Sequence, residues 1–273
     1  MGLLLGLAAV LLAVTALMLV LEKQLIYFPQ KALPLTPATI GLRFEEARLQ
    51  AEDGVSLDAW HLPLEGARFT FLVCNGNAGN MAYRLDRAQL MQAELGASVL
   101  LFDYRGFGRS AGRPDEAGTY RDARAAYRFL VEAKGLAPDS LVLFGESLGA
   151  AIATHLAVEN SAAGLILESP FTSIADMARA AYPFLPPVGP LIRTRYETLA
   201  KVPRVSMPVF VLHGERDEIV PFAQGRRVFE AAPQPKRFFA IPAAGHNDTY
   251  LVGGDAYWRA LREFLGSLRP PRT

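Results

Sequence analysis

The sequence predicts an α/β domain: a mostly parallel, twisted sheet with helices on both faces, preceded by one apolar helix. Three observations carry that expectation. Short apolar runs alternate with amphipathic stretches through most of the 273 residues. A Gly-x-Ser-x-Gly sits between one such run and a helix-like stretch. Gly2 to Leu21 are twenty residues without a charged side chain.

The opening segment comes first. Gly2 to Leu21 carries no charge, and Thr15 is its only polar side chain. At 1.5 Å per residue such a helix spans about 30 Å, one bilayer core. It is apolar on every face, which argues against a helix packed on a soluble core. A cleaved signal peptide fits less well, since the segment lacks a basic start and is longer than the usual apolar region. Residues 1–22 are therefore expected to be a single membrane anchor. Lys23 and Lys31 are too few to set its orientation. A Pro-broken connector follows, 23–42, and then the main domain, 43–273.

Within that domain, 44–49 and 55–62 read as two strands joined by an Asp53-Gly54 hairpin turn. Six further strands are expected at 69–74, 98–102, 140–144, 164–168, 208–212 and 237–241. They are apolar throughout, as strands covered on both faces should be. Helices are expected between them at 80–95, 116–134, 148–159, 222–231 and 255–268. Strand and helix alternation of this kind gives a mainly parallel sheet, with its site beyond the C-terminal strand ends. One segment breaks the rhythm. Residues 171–203 hold five prolines and four aromatics, Phe171, Tyr182, Phe184 and Tyr196. They read as a short Pro-rich lid over the strand ends.

Composition excludes several functions. With 28 basic and 27 acidic residues scattered along the chain, no nucleic-acid surface is expected. The single Cys74 rules out an internal disulfide and sits in an apolar run, where it reads as a small buried hydrophobe. The four His are far apart and show no metal spacing, so neither metal nor cofactor is expected.

Gly145-Glu146-Ser147-Leu148-Gly149 is the most informative stretch. A serine on a sharp strand-to-helix turn is pushed out of the sheet with its hydroxyl exposed and the next N–H free. Two later loops supply partners, each directly after a strand. Asp217 lies in the loop after 208–212, and His246 in the loop after 237–241. A hydroxyl needs such a base to be nucleophilic near neutral pH, and the base needs a carboxylate to fix its tautomer. Glu168 is a backup acid, His213 a candidate partner of the acid loop, and His155 a packed residue.

These motifs, with Asn75-Gly76-Asn77-Ala78-Gly79-Asn80 and Phe102-Asp103-Tyr104-Arg105-Gly106-Phe107-Gly108, resemble the α/β-hydrolase superfamily. Within it the chain resembles the membrane-anchored ABHD-type, serine aminopeptidase-like branch, in which Leu25-Ile26-Tyr27-Phe28-Pro29 also follows a span. The resemblance implies a Ser147–Asp217–His246 triad, with the backbone N–H groups of Asn77 and Leu148 as oxyanion hole. It departs at Asn75, where relatives usually carry His. The implied activity is hydrolysis of an ester or thioester of a small-molecule or lipid-like acyl group. A peptidase or amidase and a non-catalytic scaffold are the alternatives.

Overall fold

The computed structural model describes residues 2–183 and 189–269, and among them are ten strands and nine α-helices. In chain order they are α1 (Gly2–Val20), α2 (Glu22–Ile26), β1 (Phe28–Pro29), β2 (Glu45–Gln50), β3 (Ser56–Leu62), β4 (Thr70–Cys74), β5 (Ala78–Gly79), α3 (Leu85–Leu95), β6 (Ser98–Phe102), α4 (Glu116–Arg128) and β7 (Leu141–Glu146). Then follow α5 (Leu148–Glu159), β8 (Gly164–Glu168), α6 (Ile174–Ala181), α7 (Thr198–Lys201), β9 (Val209–Gly214), α8 (Phe222–Ala231), β10 (Lys236–Ile241) and α9 (Thr249–Ser267).

Eight strands form one sheet in the order β10-β9-β8-β7-β4-β6-β3-β2. The six from β10 to β6 are parallel, and β3 and β2 add an antiparallel edge. Alternate residues on each central strand feed opposite faces, because successive side chains in a strand point opposite ways. Leu143, Leu165 and Val211 pack on the face carrying α4, α5 and α8. Phe144, Ile166 and Phe210 pack on the face carrying α3 and α9. Cys74 is fully buried on the first of these faces, and burial pushes its thiol pKa up to about 12, leaving it an inert apolar filler.

All eight expected strands of the sheet are present. The differences are local. α9 begins at Thr249 instead of 255, because the chain turns through Gly254 at φ 46°, ψ −135° and resumes its helix. The short parallel pair β1–β5 carried no sequence signal, being two residues each. Of the Pro-rich stretch, 184–188 lie outside the described residues, so Phe184, Pro186 and Pro187 of the expected lid do too.

The expected membrane span falls on α1. Among the described residues, no helix is long and apolar enough to cross a membrane. The side chains of 2–5 and 7–9 lie outside those residues. What the rest of α1 does is visible. Thr15 is 7% exposed, whereas Leu12 is 66% and Val20 77% exposed. One face of the helix packs inward on the domain and the other faces out.

Candidate active site

Ser147 is placed by a collision that glycine alone avoids. β7 ends, and α5 begins one residue later, so the chain must reverse within Glu146–Leu148. Ser147 takes φ 54°, ψ −115°, a conformation rarely adopted by side-chain-bearing residues. Its N–H donates to Glu168 O at 2.9 Å and its carbonyl accepts from Ala150 N at 3.0 Å, which holds the turn in place. A Cβ on Gly145 would stand 2.4 Å from Gly149 O, and one on Gly149 would stand 1.9 Å from Cys74 O.

The candidate acid and base, Asp217 and His246, meet at the same sheet edge. Asp217 follows β9, and His246 follows β10, its parallel neighbour. His246 Nδ1 lies 2.7 Å from Asp217 Oδ2. A carboxylate can only accept, so Nδ1 carries a proton, and in the neutral ring Nε2 keeps its lone pair. The other carboxylate oxygen accepts from Ile219 N at 3.0 Å and Val220 N at 2.7 Å. Burial pushes the Asp217 pKa up, but hydrogen bonds from His213 and His246 and the Val220 N–H outweigh it and hold the group well below the usual carboxylate range. For His246, burial pulls the pKa down, but the hydrogen bond and charge of Asp217, with Glu146 and Glu168, bring it above the ordinary histidine value. Asp248 closes the loop by accepting Gly245 N at 2.7 Å.

Ser147, Asn77 and Leu148 line one cavity of about 330 Å³ with Ile219 and Val220 of the acid loop. Among the described residues the Ser147 hydroxyl makes no hydrogen bond, so the structure joins His246 to Asp217 but does not join Ser147 to His246. Leu148 opens α5, so its N–H has no partner one turn back. Asn77 is held from both sides: its carbonyl accepts Phe28 N at 2.9 Å, and its side chain donates to Ile26 O at 2.7 Å. Asn75 donates through Nδ2 to Phe102 O at 3.1 Å. Its carbonyl accepts the Tyr104 hydroxyl at 3.0 Å.

Two groups beneath the site were only partly legible in the sequence. His213 is fully buried, with Nε2 3.0 Å from Val220 O and 3.2 Å from Asp217 Oδ2. Both are acceptors, so Nε2 carries a proton and braces the acid. Gly225 makes room for it, since a Cβ there would be 2.0 Å from Nδ1. Glu168 does not serve as the acid. It accepts Thr249 Oγ1 at 2.6 Å and the Tyr257 hydroxyl, and pairs with Arg87 at 2.9 Å. Arg87 also reaches Glu146 at 3.3 Å, so a buried Glu146–Arg87–Glu168 chain runs under the elbow. His155 stacks on Tyr120, its ring centre 3.7 Å away, and burial lowers its pKa to about 4, so it is a packed neutral ring. Among the described residues no group of three or more His, Cys, Asp or Glu is arranged to hold a metal.

The charge of Glu146 gives a testable sign. If His246 acts as a general base, its raised pKa places the acid limb of kcat/KM above the ordinary histidine range, since a base must be neutral to accept a proton. Glu146→Gln removes one of the negative charges that raise it, so the acid limb is expected to move to lower pH. A pH–rate profile of both proteins checks the direction.

The comparisons agree with this architecture. The family model for serine aminopeptidase, S33, matches residues 67–198. An uncharacterized protein of Mycobacterium tuberculosis, Rv2307c, is 40% identical over 246 residues, covering 89% of this chain and 87% of its own. The alpha/beta hydrolase domain-containing protein WAV2 of Arabidopsis thaliana is 33% identical over 98% of this chain and 94% of its own. The esterase Pf2001 of Pyrococcus furiosus has a similar fold at 20% identity, with a TM-score of 0.73 over 89% of this chain and 98% of that one. With a mostly parallel sheet and an alpha/beta hydrolase domain-containing relative 33% identical over nearly all of both chains, the chain belongs to the α/β-hydrolase superfamily.

Proposed function

We propose that this chain is a serine hydrolase that passes an acyl group from an ester or thioester to water. The observation that carries the reading is the 2.7 Å contact between His246 and buried Asp217, formed at the sheet edge that presents Ser147. In the proposed reaction Ser147 Oγ attacks the carbonyl carbon while its proton moves to His246 Nε2. The carbonyl oxygen becomes an oxyanion and accepts from the N–H groups of Asn77 and Leu148. His246 then returns the proton to the leaving alcohol or thiol as the carbon–heteroatom bond breaks. Water, deprotonated by His246, hydrolyses the acyl-enzyme by the same steps. Asp217 keeps the imidazole in the tautomer this needs and stabilises the imidazolium. Losing one oxyanion donor typically costs about 10²–10³ in turnover.

The cavity favours an acyl group over a peptide amino terminus. Glu22 is the one charged side chain among the described lining residues, and both its oxygens are engaged, by Thr194 N at 2.6 Å and Arg193 N at 3.1 Å. Those bonds turn the carboxylate toward the strap, and most of the remaining described lining is apolar. The Pro-rich stretch is read as a lid, with Ile174 and Met177 of α6 facing the cavity. A membrane location is part of the same reading, supported by the uncharged run 2–21 and by the outward-facing Leu12, Leu17 and Val20.

The test is a fluorophosphonate label followed by p-nitrophenyl esters of graded chain length beside aminoacyl p-nitroanilides. Labelling with ester turnover is expected. Faster nitroanilide cleavage would favour the amidase reading, and no labelling would favour a scaffold.

A further inference from the structure

We propose that the N-terminal helices are part of the substrate site: α1 and α2 form a specificity-determining wall of the acyl cavity and brace its oxyanion loop. The identity of the substrate rests on the serine-hydrolase reading; the wall itself does not.

The wall is a helical stripe. Thr15, Met18, Leu19, Glu22, Leu25 and Ile26 all line the cavity. Their spacing of three and four residues puts them on one face. Hydrogen bonds from Leu21 N to Leu17 O and from Leu25 N to Leu21 O carry that face across the junction of α1 and α2. Opposite stand Ile174, Met177, Ala178 and Ala181 on α6. Ser147 and Leu148 lie at the same cavity. A group bound at the serine therefore extends between an N-terminal helix and α6, with apolar side chains on both sides.

Three sets of bonds fix this wall to the catalytic domain. The Glu22 carboxylate accepts the backbone of Arg193 and Thr194 in the strap that returns from α6. The Tyr27 hydroxyl meets that of Tyr196 at 2.8 Å, and Tyr196 meets Thr119 at 2.7 Å. The segment directly after α2 holds the loop of Asn77: Phe28 N and Gln30 N donate to Asn77 O and Gly79 O, while Asn77 and Asn80 side chains donate back to Ile26 and Gln30 carbonyls. A helix serving only as a tether would need neither a cavity-facing stripe nor bonds to the oxyanion loop. The outward positions, Leu17 at 57% and Val20 at 77% exposed, lack the contact and serve as internal controls.

The experiment uses the full chain. Leu19→Trp fills the cavity, Leu19→Ala enlarges it without a clash, and Leu17→Trp and Val20→Trp add the same bulk outside. The first readout is kcat/KM for p-nitrophenyl decanoate divided by that for p-nitrophenyl acetate. The second is the affinity of dansyl-tagged undecanoic acid for the same variants carrying Ser147→Ala, which needs no turnover. Leu19→Trp is expected to lower the ratio by about tenfold or more, the scale on which an apolar pocket discriminates small changes in fit. Leu19→Ala should move the preference toward longer chains, and the outward variants should match the parent. Probe binding should fall in Leu19→Trp alone. If the parent turns over no ester but probe binding still separates inward from outward positions, the wall stands and the reaction reading falls. If Leu19→Trp and Leu17→Trp give the same ratio and the same probe affinity, or if Leu19→Ala leaves the chain-length preference unchanged, the proposal is overturned.

Discussion

Ser147→Ala is expected to reduce ester hydrolysis about 10⁶-fold and to abolish fluorophosphonate labelling, the scale seen when a serine nucleophile is removed from such a relay. It should do so with little change in stability. The substitution keeps the Cβ, so the strain at φ 54° is the same in both proteins. The hydroxyl makes no hydrogen bond among the described residues, whereas the backbone bonds to Glu168 and Ala150 are untouched. A stability change within about 0.5 kcal/mol follows, as for substitutions that remove no packing and no buried partner. A thermal melt beside the activity assay separates the two effects. Retained turnover would sink the assignment of the nucleophile, and a collapsed melt would mean the residue matters for folding first.

The largest effect on stability is expected from Gly149→Ala. A methyl there would stand 1.9 Å from Cys74 O, 2.5 Å from Cys74 C and 2.6 Å from Asn75 O. All three are backbone atoms of β4 and the loop after it, so no side-chain rotation can relieve the overlap. α5 must move off the sheet, at a cost of about 2–4 kcal/mol by the usual scale of overpacking in a rigid interior. The displacement also carries the Leu148 N–H away from Asn77, so the folded fraction should lose turnover as well. Gly266→Ala is the contrast. That glycine is exposed near the end of α9 with nothing within 4 Å of the new methyl. Helix propensity there should give a gain of up to about 1 kcal/mol. Urea unfolding of the two variants should therefore shift in opposite directions, and equal shifts would mean the elbow tolerates separation of β4 and α5.

The elbow and the acid–base order were readable because each is written locally. Ser147 sits between a strand run and a helix run, and Asp217 and His246 each follow an apolar strand. What was not readable involves residues far apart in the chain. Glu22 and Thr194 are 172 residues apart, Tyr27 and Tyr196 are 169 apart, and Asn77 and Ile26 are 51 apart. No periodicity pairs them. His213 was a weak candidate, because only four residues separate it from Asp217 and a loop gives no rule for whether they touch. Glu168 looked like a spare acid from its place at a strand end, but Arg87, Thr249 and Tyr257 already occupy it.

Sequence by itself determined the layers, the serine elbow and the family, because burial on two faces forces apolar runs and a strand-to-helix reversal demands glycine at fixed spacing. It also showed an uncharged opening helix, and from hydrophobicity alone that helix read as an anchor. Only the tertiary structure decided where its sides go. Thr15, Met18, Leu19 and Glu22 face the cavity while Leu17 and Val20 face out. When a helix carries a single polar residue, no polar face records which side is packed, and contacts with distant segments choose it.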